Sequence, residues 1–246
     1  MSIIVKYISH MGDERSIANA ARVSFSKDAD SYTEQQNHNL IKYLATGLTT
    51  AERNELTESI IMCKSEQVAQ LLVNQIKDVA THWTPFAHTA ISLSVTAPLP
   101  IRTHCFKHKA GLVENEESRR YIVSTPEVHI PEFRLKPAKN IKQGSGGMHP
   151  GNIGWQTAYK SSVSLAVETY EAMVLDCVAP EQARYILPQG TLTTWVWTGN
   201  LYAFANFVIK RSDKHAQKEV QDIAKQVKEI LTDLFPVAFP ALLGEF

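Results

Sequence analysis

Between Arg102 and Lys109 the chain reads RTHCFKHK, which places five basic or imidazole side chains in eight residues with no acid among them. Such a cluster can receive an anionic ligand. His104 and His108 are four apart and share a face in either a helix or a strand, with Cys105 beside them. Zinc would need further ligands at CxxC or HExxH spacing, and the chain supplies neither. Histidines that hydrogen-bond in an anion pocket or in the core are the simpler reading, and no metal is expected.

The next segment, Glu114 to Tyr121, reads ENEESRRY. In an extended strand Glu116, Ser118 and Arg120 fall on one side, and Glu117, Arg119 and Tyr121 on the other. The first side offers an acceptor, a hydroxyl and a guanidinium, which suits a polar ligand carrying an anionic group. A solvated strand with cross-strand ion pairs is the plainer alternative. A third set lies near the C-terminus: Arg184, Asn200, Asn206, Arg211 and His215. Asparagine is a poor choice inside a helix. Asn200 is explained as an N-cap after WTG; Asn206 is not. Taken singly, each of these reads as structural. Cys63 and Cys177 fall in amphipathic patterns and are expected to be buried, and Ser118 lacks the GxSxG elbow of an exposed nucleophile.

These residues need elements to position them. Ile3 to Ile8 has strand composition, and Ser16 to Ser24 reads as an alanine-rich helix. A second helix carries Leu40, Ile41, Tyr43 and Leu44 and stops at Gly47. Residues 48–82 read as a helical hairpin whose second half spaces Val68, Leu71, Leu72, Ile76 and Val79 helically. Ile91, Leu93 and Val95 alternate with small polar residues as a strand does, and Pro98 and Pro100 end it. Lys136 to Trp155 holds five of the eleven glycines and matches no phosphate-binding loop, so it reads as one long loop. Val163 to Val174 is helical, Pro180 opens a short helix that Pro188 closes, and Thr191 to Thr198 is a strand. Leu201 to Val208 and Ala216 to Leu234 follow as helices, with Ser212 or Asp213 available to cap the latter. The result is an α+β fold in a single domain over 1–246, with 48–82 inserted.

Composition narrows the function classes. Twenty-five Lys plus Arg balance 25 Asp plus Glu over 246 residues, so no global field draws the chain to nucleic acid or a membrane. No apolar run approaches the ~18–20 residues of a membrane span. Three cysteines suit a reducing, cytoplasmic setting.

Read together, the segments AARVSF (Ala20 to Phe25), LIKYLATG (Leu40 to Gly47), TPFAH (Thr84 to His88) and KHK with NEESRRY (Lys107 to Tyr121) resemble the flavin-dependent thymidylate synthase family. ARYILP (Ala183 to Pro188), WTGN (Trp197 to Asn200) and NFVIKRSDKHAQKE (Asn206 to Glu219) continue the likeness in the family's order. The resemblance implies a small mixed or antiparallel sheet flanked by long helices, and sites shared between subunits of a homotetramer. By the same resemblance His88, Lys107, His108, Lys109, Asn200, Asn206 and His215 match residues that hold FAD. Glu116, Ser118, Arg120, Arg184 and Arg211 match residues around deoxyuridylate, and Arg184, Ser118 and Arg211 are expected nearest the chemistry. The implied reaction converts dUMP to dTMP, with methylenetetrahydrofolate giving the carbon and NADPH reducing FAD. Four features depart from the family pattern: Lys107-His108-Lys109 replaces Arg-His-Arg, eight residues rather than seven precede Ser118, His104 replaces a glutamine and Tyr202 an arginine. A related enzyme acting on another pyrimidine is one alternative. An RNA-binding module that stacks bases on Trp195, Trp197 and Tyr202 is another.

Overall fold

A computed structural model describes residues 3–65, 67–68, 82–137 and 144–245. The β-branched N-terminus forms β1 (Ile4–Met11), and Gly12 turns the chain at a φ of 91°. Three helices follow, each opened by a capping box: α1 (Glu14–Arg22) at Asp13 and Ser16, α2 (Glu34–Thr46) at Thr33 and Gln36, and α3 (Thr50–Met62) at Thr49 and Glu52. Gly47, at a φ of 69°, ends α2 as expected. The first half of the 48–82 hairpin is thus α3; Leu71, Leu72, Ile76 and Val79 of its second half lie outside the described residues.

A 3-10 turn over Thr84–His88 leads into β2 (Ala90–Pro98), and Pro100 sits in the first turn of α4 (Leu99–Cys105). The chain continues through β3 (Leu112–Glu116), α5 (Asn152–Leu175), α6 (Pro180–Ala183), β4 (Leu192–Gly199), α7 (Leu201–Arg211), α8 (Lys218–Leu234) and α9 (Ala238–Leu242). The four strands form one antiparallel sheet in the order β1-β2-β4-β3.

Side-chain alternation decides which face is dry. Ile91, Leu93, Val95 and Ala97 of β2 are wholly buried beside Trp195 and Trp197 of β4. Trp197 meets Phe204 and Phe207 of α7 edge-on, at 5.3 and 4.8 Å between ring centres. The opposite face is polar, with hydroxyl pairs Ser92–Thr198 and Thr96–Thr194 at 2.8 and 2.9 Å. In contrast, α5 buries only Asn152 and Tyr170 and leaves Ile153, Trp155, Leu165 and Leu175 exposed.

Four local expectations are corrected. The loop from Lys136 is shorter than its glycines suggested: Asn152 to Trp155 already form the first turn of α5. Ser212 and Asp213 do not cap α8; its N-cap is Gln217, and the Asp213 carboxylate accepts from the His215 amide instead. Ser118 to Tyr121 is a turn, because the Ser118 carbonyl accepts from the amides of Tyr121 and Ile122 and stops the strand at Glu116. Cys63 is only half-buried at the end of α3, and Cys177 is exposed at a φ of 62° beyond α5.

Candidate functional site

The basic cluster straddles α4 and the turn after it. Cys105 points into the core, where burial raises its thiol to about 12 despite the charge of Arg211, so it is neither nucleophile nor ligand. His108 packs edge-on against Phe207 at 5.0 Å and accepts at Nε2 from Arg211 Nε at 2.8 Å. An acceptor nitrogen cannot carry a proton, so this geometry assigns a neutral imidazole protonated at Nδ1. Burial, followed by the charges of Arg211, Lys210 and His104, holds its pKa down to about 4. Arg211 in turn has no carboxylate partner among the ion pairs of the described residues. A half-buried guanidinium whose nearest partner is uncharged is suited to an incoming anion.

That guanidinium opens onto a cleft of about 440 Å³ lined by His104, Arg134, Gly144, Ser145, Arg211 and the residues from His215 to Gln217. The lining contains two guanidiniums, two imidazoles and a hydroxyl, and no carboxylate. His104 enters because it lies in the last turn of α4, four residues before His108 in the segment that follows the helix. Arg211 enters because α7 is 11 residues long and ends beside that turn. Such a donor set fits phosphate or a polarised carbonyl oxygen.

The other expected residues form two further groups. Leu112, Gly199 and Ile91 share one row of the sheet. The segments just outside that row carry Lys107 to Lys109, Asn200 and His88. Lys109 pairs with Glu114, while Lys107 and His88 are exposed. Asn200 Oδ1 caps α7 by accepting from the Ala203 amide at 2.8 Å, which leaves its Nδ2 for a ligand. Asn206 is half-buried, and its Nδ2 donates to the Tyr202 carbonyl at 3.0 Å.

Glu116 lies in the row of Trp195 and Val95, four residues and roughly 13 Å along the sheet. Its Oε1 is 3.0 Å from Arg102 Nε and accepts from Thr193 Oγ1 at 2.7 Å. Beyond it the Ser118 hydroxyl accepts from the Arg120 amide at 3.3 Å, and Arg120 reaches Glu181 at 3.4 Å. Arg184 Nε donates to the Glu181 carbonyl at 3.3 Å, which gathers Ser118, Arg120 and Arg184 in one neighbourhood. Within one chain, then, the Arg120–Arg184 group and the Lys109–Asn200 group stand at opposite ends of the sheet.

Two residues of these groups escaped notice in the sequence: Arg134 and Glu181. Glu181 had a signal, since it stands three residues before Arg184 on one helical turn. Arg134 had none. The base-stacking alternative loses its platform, because Trp195 and Trp197 are buried beneath α7 and cannot meet a base. Among the described residues no group of three His, Cys, Asp or Glu side chains is placed to hold a metal, and no helix is long and apolar enough to cross a membrane.

Comparison with known proteins decides what kind of chain this is. The family model for thymidylate synthase complementing protein matches residues 6–237. The chain belongs to that family. It is 27% identical over 241 residues to the flavin-dependent thymidylate synthase of Thermosipho africanus, covering 97% of this chain and 90% of that protein. It is also 27% identical over 237 residues to the flavin-dependent thymidylate synthase of Thermus thermophilus, covering 96% and 74%. Its fold is shared with the UMP/dUMP methylase PolB of Streptomyces cacaoi, solved with 5-Br dUMP: TM-score 0.72, 23% identity, 99% of this chain and 96% of that one.

Proposed function

We propose that this member of the thymidylate synthase complementing protein family catalyses the reductive methylation of dUMP to dTMP. The observation that carries the reading is the acid-free cleft around Arg211, His104 and His215 in a chain that matches the family from residue 6 to 237. Methylenetetrahydrofolate donates the carbon, and FAD reduced by NADPH supplies the hydride that completes the methyl group.

The donor set fits the anionic and carbonyl edges of flavin and nucleotide, so the chain's own task is binding, orientation and charge stabilisation. His88, Lys107, His108, Lys109, Asn200, Asn206 and His215 would hold FAD. Lysine at 107 and 109 supplies point charges instead of planar forks, so contacts there are less directional. Glu116, Ser118, Arg120, Arg184 and Arg211 would hold dUMP. Arg120 and Arg184 serve the phosphate, while Arg211 favours negative charge developing on a pyrimidine oxygen. Ser118 has its Oγ on the Arg120 amide and no base beside it, which suits positioning and not attack.

The separation of the two groups along the sheet implies that a complete site takes residues from more than one chain. A homotetramer meets that need, and the exposed Ile153, Trp155, Leu165 and Leu175 of α5 supply an apolar surface for it. Residues 1–246 act as one domain in this reading, with 48–82 an insertion. Three free cysteines agree with a reducing cytoplasmic setting.

The test is product analysis with purified protein, FAD, NADPH and methylenetetrahydrofolate, offering dUMP and UMP separately. dTMP from dUMP is the expected result. Methylation of UMP alone, or bound flavin with no methylated nucleotide, contradicts it.

A further inference from the structure

Arg102 opens the basic cluster, yet it belongs to neither of the ligand groups expected from the sequence. It stands on α4 beside the buried Ile101. Its partner is Glu116, the last residue of β3. Directly paired residues of an antiparallel ladder share a face, so Glu116, opposite Trp195, projects from the dry side of the sheet. A carboxylate at the rim of an apolar face needs compensation. Two other elements supply it: Arg102 Nε forms an ion pair with Oε1 at 3.0 Å, and Thr193 Oγ1 donates to the same oxygen at 2.7 Å. Thr193 is itself buried, two residues before Trp195 on β4 and therefore on the same face.

Arg102 is held in turn. Its guanidinium carbon lies 5.3 Å from the centre of the Phe106 ring, and that ring meets Trp195 edge-on at 5.5 Å. Trp195 is the cross-strand neighbour of Glu116, so the circuit Arg102, Phe106, Trp195 and Glu116 closes on itself. With both contacts of Glu116 on Oε1, its Oε2 is left for a donor on a ligand. Two residues further along the chain, Ser118 begins the turn that carries Arg120.

We propose that Arg102 is a positioning residue for Glu116. It aims the carboxylate at the nucleotide and balances a charge that would otherwise repel the phosphate on the neighbouring turn. Placing the nucleotide there rests on the function proposed above. A phosphate monoester carries about −1.5 to −2 at neutral pH, so an unbalanced carboxylate beside it weakens binding. Arginine keeps its proton throughout the working pH range, and its planar fork holds direction as well as charge. Lysine at the same position would supply the charge without the fork.

The experiment is calorimetric titration of the full-length chain with dUMP and with UMP. The proteins are wild type, Arg102→Gln, Arg102→Lys, Glu116→Gln and the double variant Arg102→Gln with Glu116→Gln. Arg102→Gln should weaken dUMP about tenfold, and Arg102→Lys only about threefold. Once Glu116 is uncharged there is nothing for Arg102 to aim or balance, so the double variant should bind dUMP no more weakly than Glu116→Gln alone. A further loss in the double variant would mean that Arg102 meets the nucleotide independently, and would overturn the proposal. So would unchanged dUMP affinity in Arg102→Gln, or a loss in Arg102→Lys as large as in Arg102→Gln. If Arg102→Gln fails to fold because Glu116 is stranded, the cycle runs with Arg102→Lys, whose smaller loss should vanish in the Glu116→Gln background; no loss, or one that persists there, overturns the proposal. Wild type that binds UMP and not dUMP rejects the substrate reading, and the same cycle on UMP then decides the role of Arg102. Wild type that binds neither overturns both.

Discussion

The hydrogen bond from Arg211 to His108 sets a definite pH response. His108 is held neutral in the folded chain to about 4, whereas an ordinary histidine titrates near 6.5. Between those values the unfolded chain binds more protons, so the stability present above 6.5 declines as pH falls towards 4. His108→Gln keeps an acceptor for Arg211 but cannot titrate, and it should flatten the decline. Thermal midpoints across that pH range check this; an unchanged slope contradicts it.

Two further residues have separable roles. Arg184→Ala should abolish nucleotide binding and leave the circular dichroism unchanged, because each charge-assisted bond to phosphate contributes about 1.5–3 kcal/mol. Ser118→Ala should lower activity only in part, and complete loss with nucleotide and flavin still bound would indicate covalent catalysis. At this scale the sequence was legible wherever chemistry and local spacing coincided, as in RTHCFKHK. Arg134 and Glu219, 85 positions apart, meet only through tertiary packing, and no local pattern announces their pairing.

At the level of elements, α7 is the part that matters most. It connects a sheet end at Asn200 to Arg211, and its inner face packs Phe204 and Phe207 onto Trp197. Phe207→Ala should destabilise the fold by about 3–5 kcal/mol through the cavity it leaves. It also removes the ring against which His108 rests, so nucleotide affinity should fall along with the denaturant midpoint. An unfolding free energy within about 1 kcal/mol of wild type would show that this packing is dispensable.

The sheet, α7 and α8 were readable because one dry face imposes a period on the sequence. The start of α5 was not: Gly151 and Gly154 mimic a loop, while Asn152 is buried and its Oδ1 accepts from the Phe133 amide at 2.7 Å. The turn at Ser118 was missed for a similar reason. An alternating charge pattern describes a strand equally well, and only backbone hydrogen bonds distinguish the two.

The whole molecule explains why the expected site residues form separate groups. An antiparallel sheet carries the loops at its two ends apart, and here one end bears Lys109 and Asn200 while the other bears Arg120 and Arg184. Subunit association would bring the opposite ends of neighbouring sheets together. In the proposed tetramer, Leu165→Glu on the exposed face of α5 should therefore separate the subunits and release flavin together with nucleotide. Sedimentation and visible absorbance measured on one sample check this, and a monomer that keeps both ligands contradicts it.

The central claim is that these groups assemble into one flavin and nucleotide site that transfers a reduced one-carbon unit. It is tested most directly by anaerobic visible absorbance of the FAD-loaded protein reduced by NADPH and then mixed with dUMP and methylenetetrahydrofolate. The flavin absorbance should return only when both are added, with dTMP formed in matching amount. Protein that stays colourless when FAD is supplied, or flavin that reoxidises without dTMP, would contradict the account.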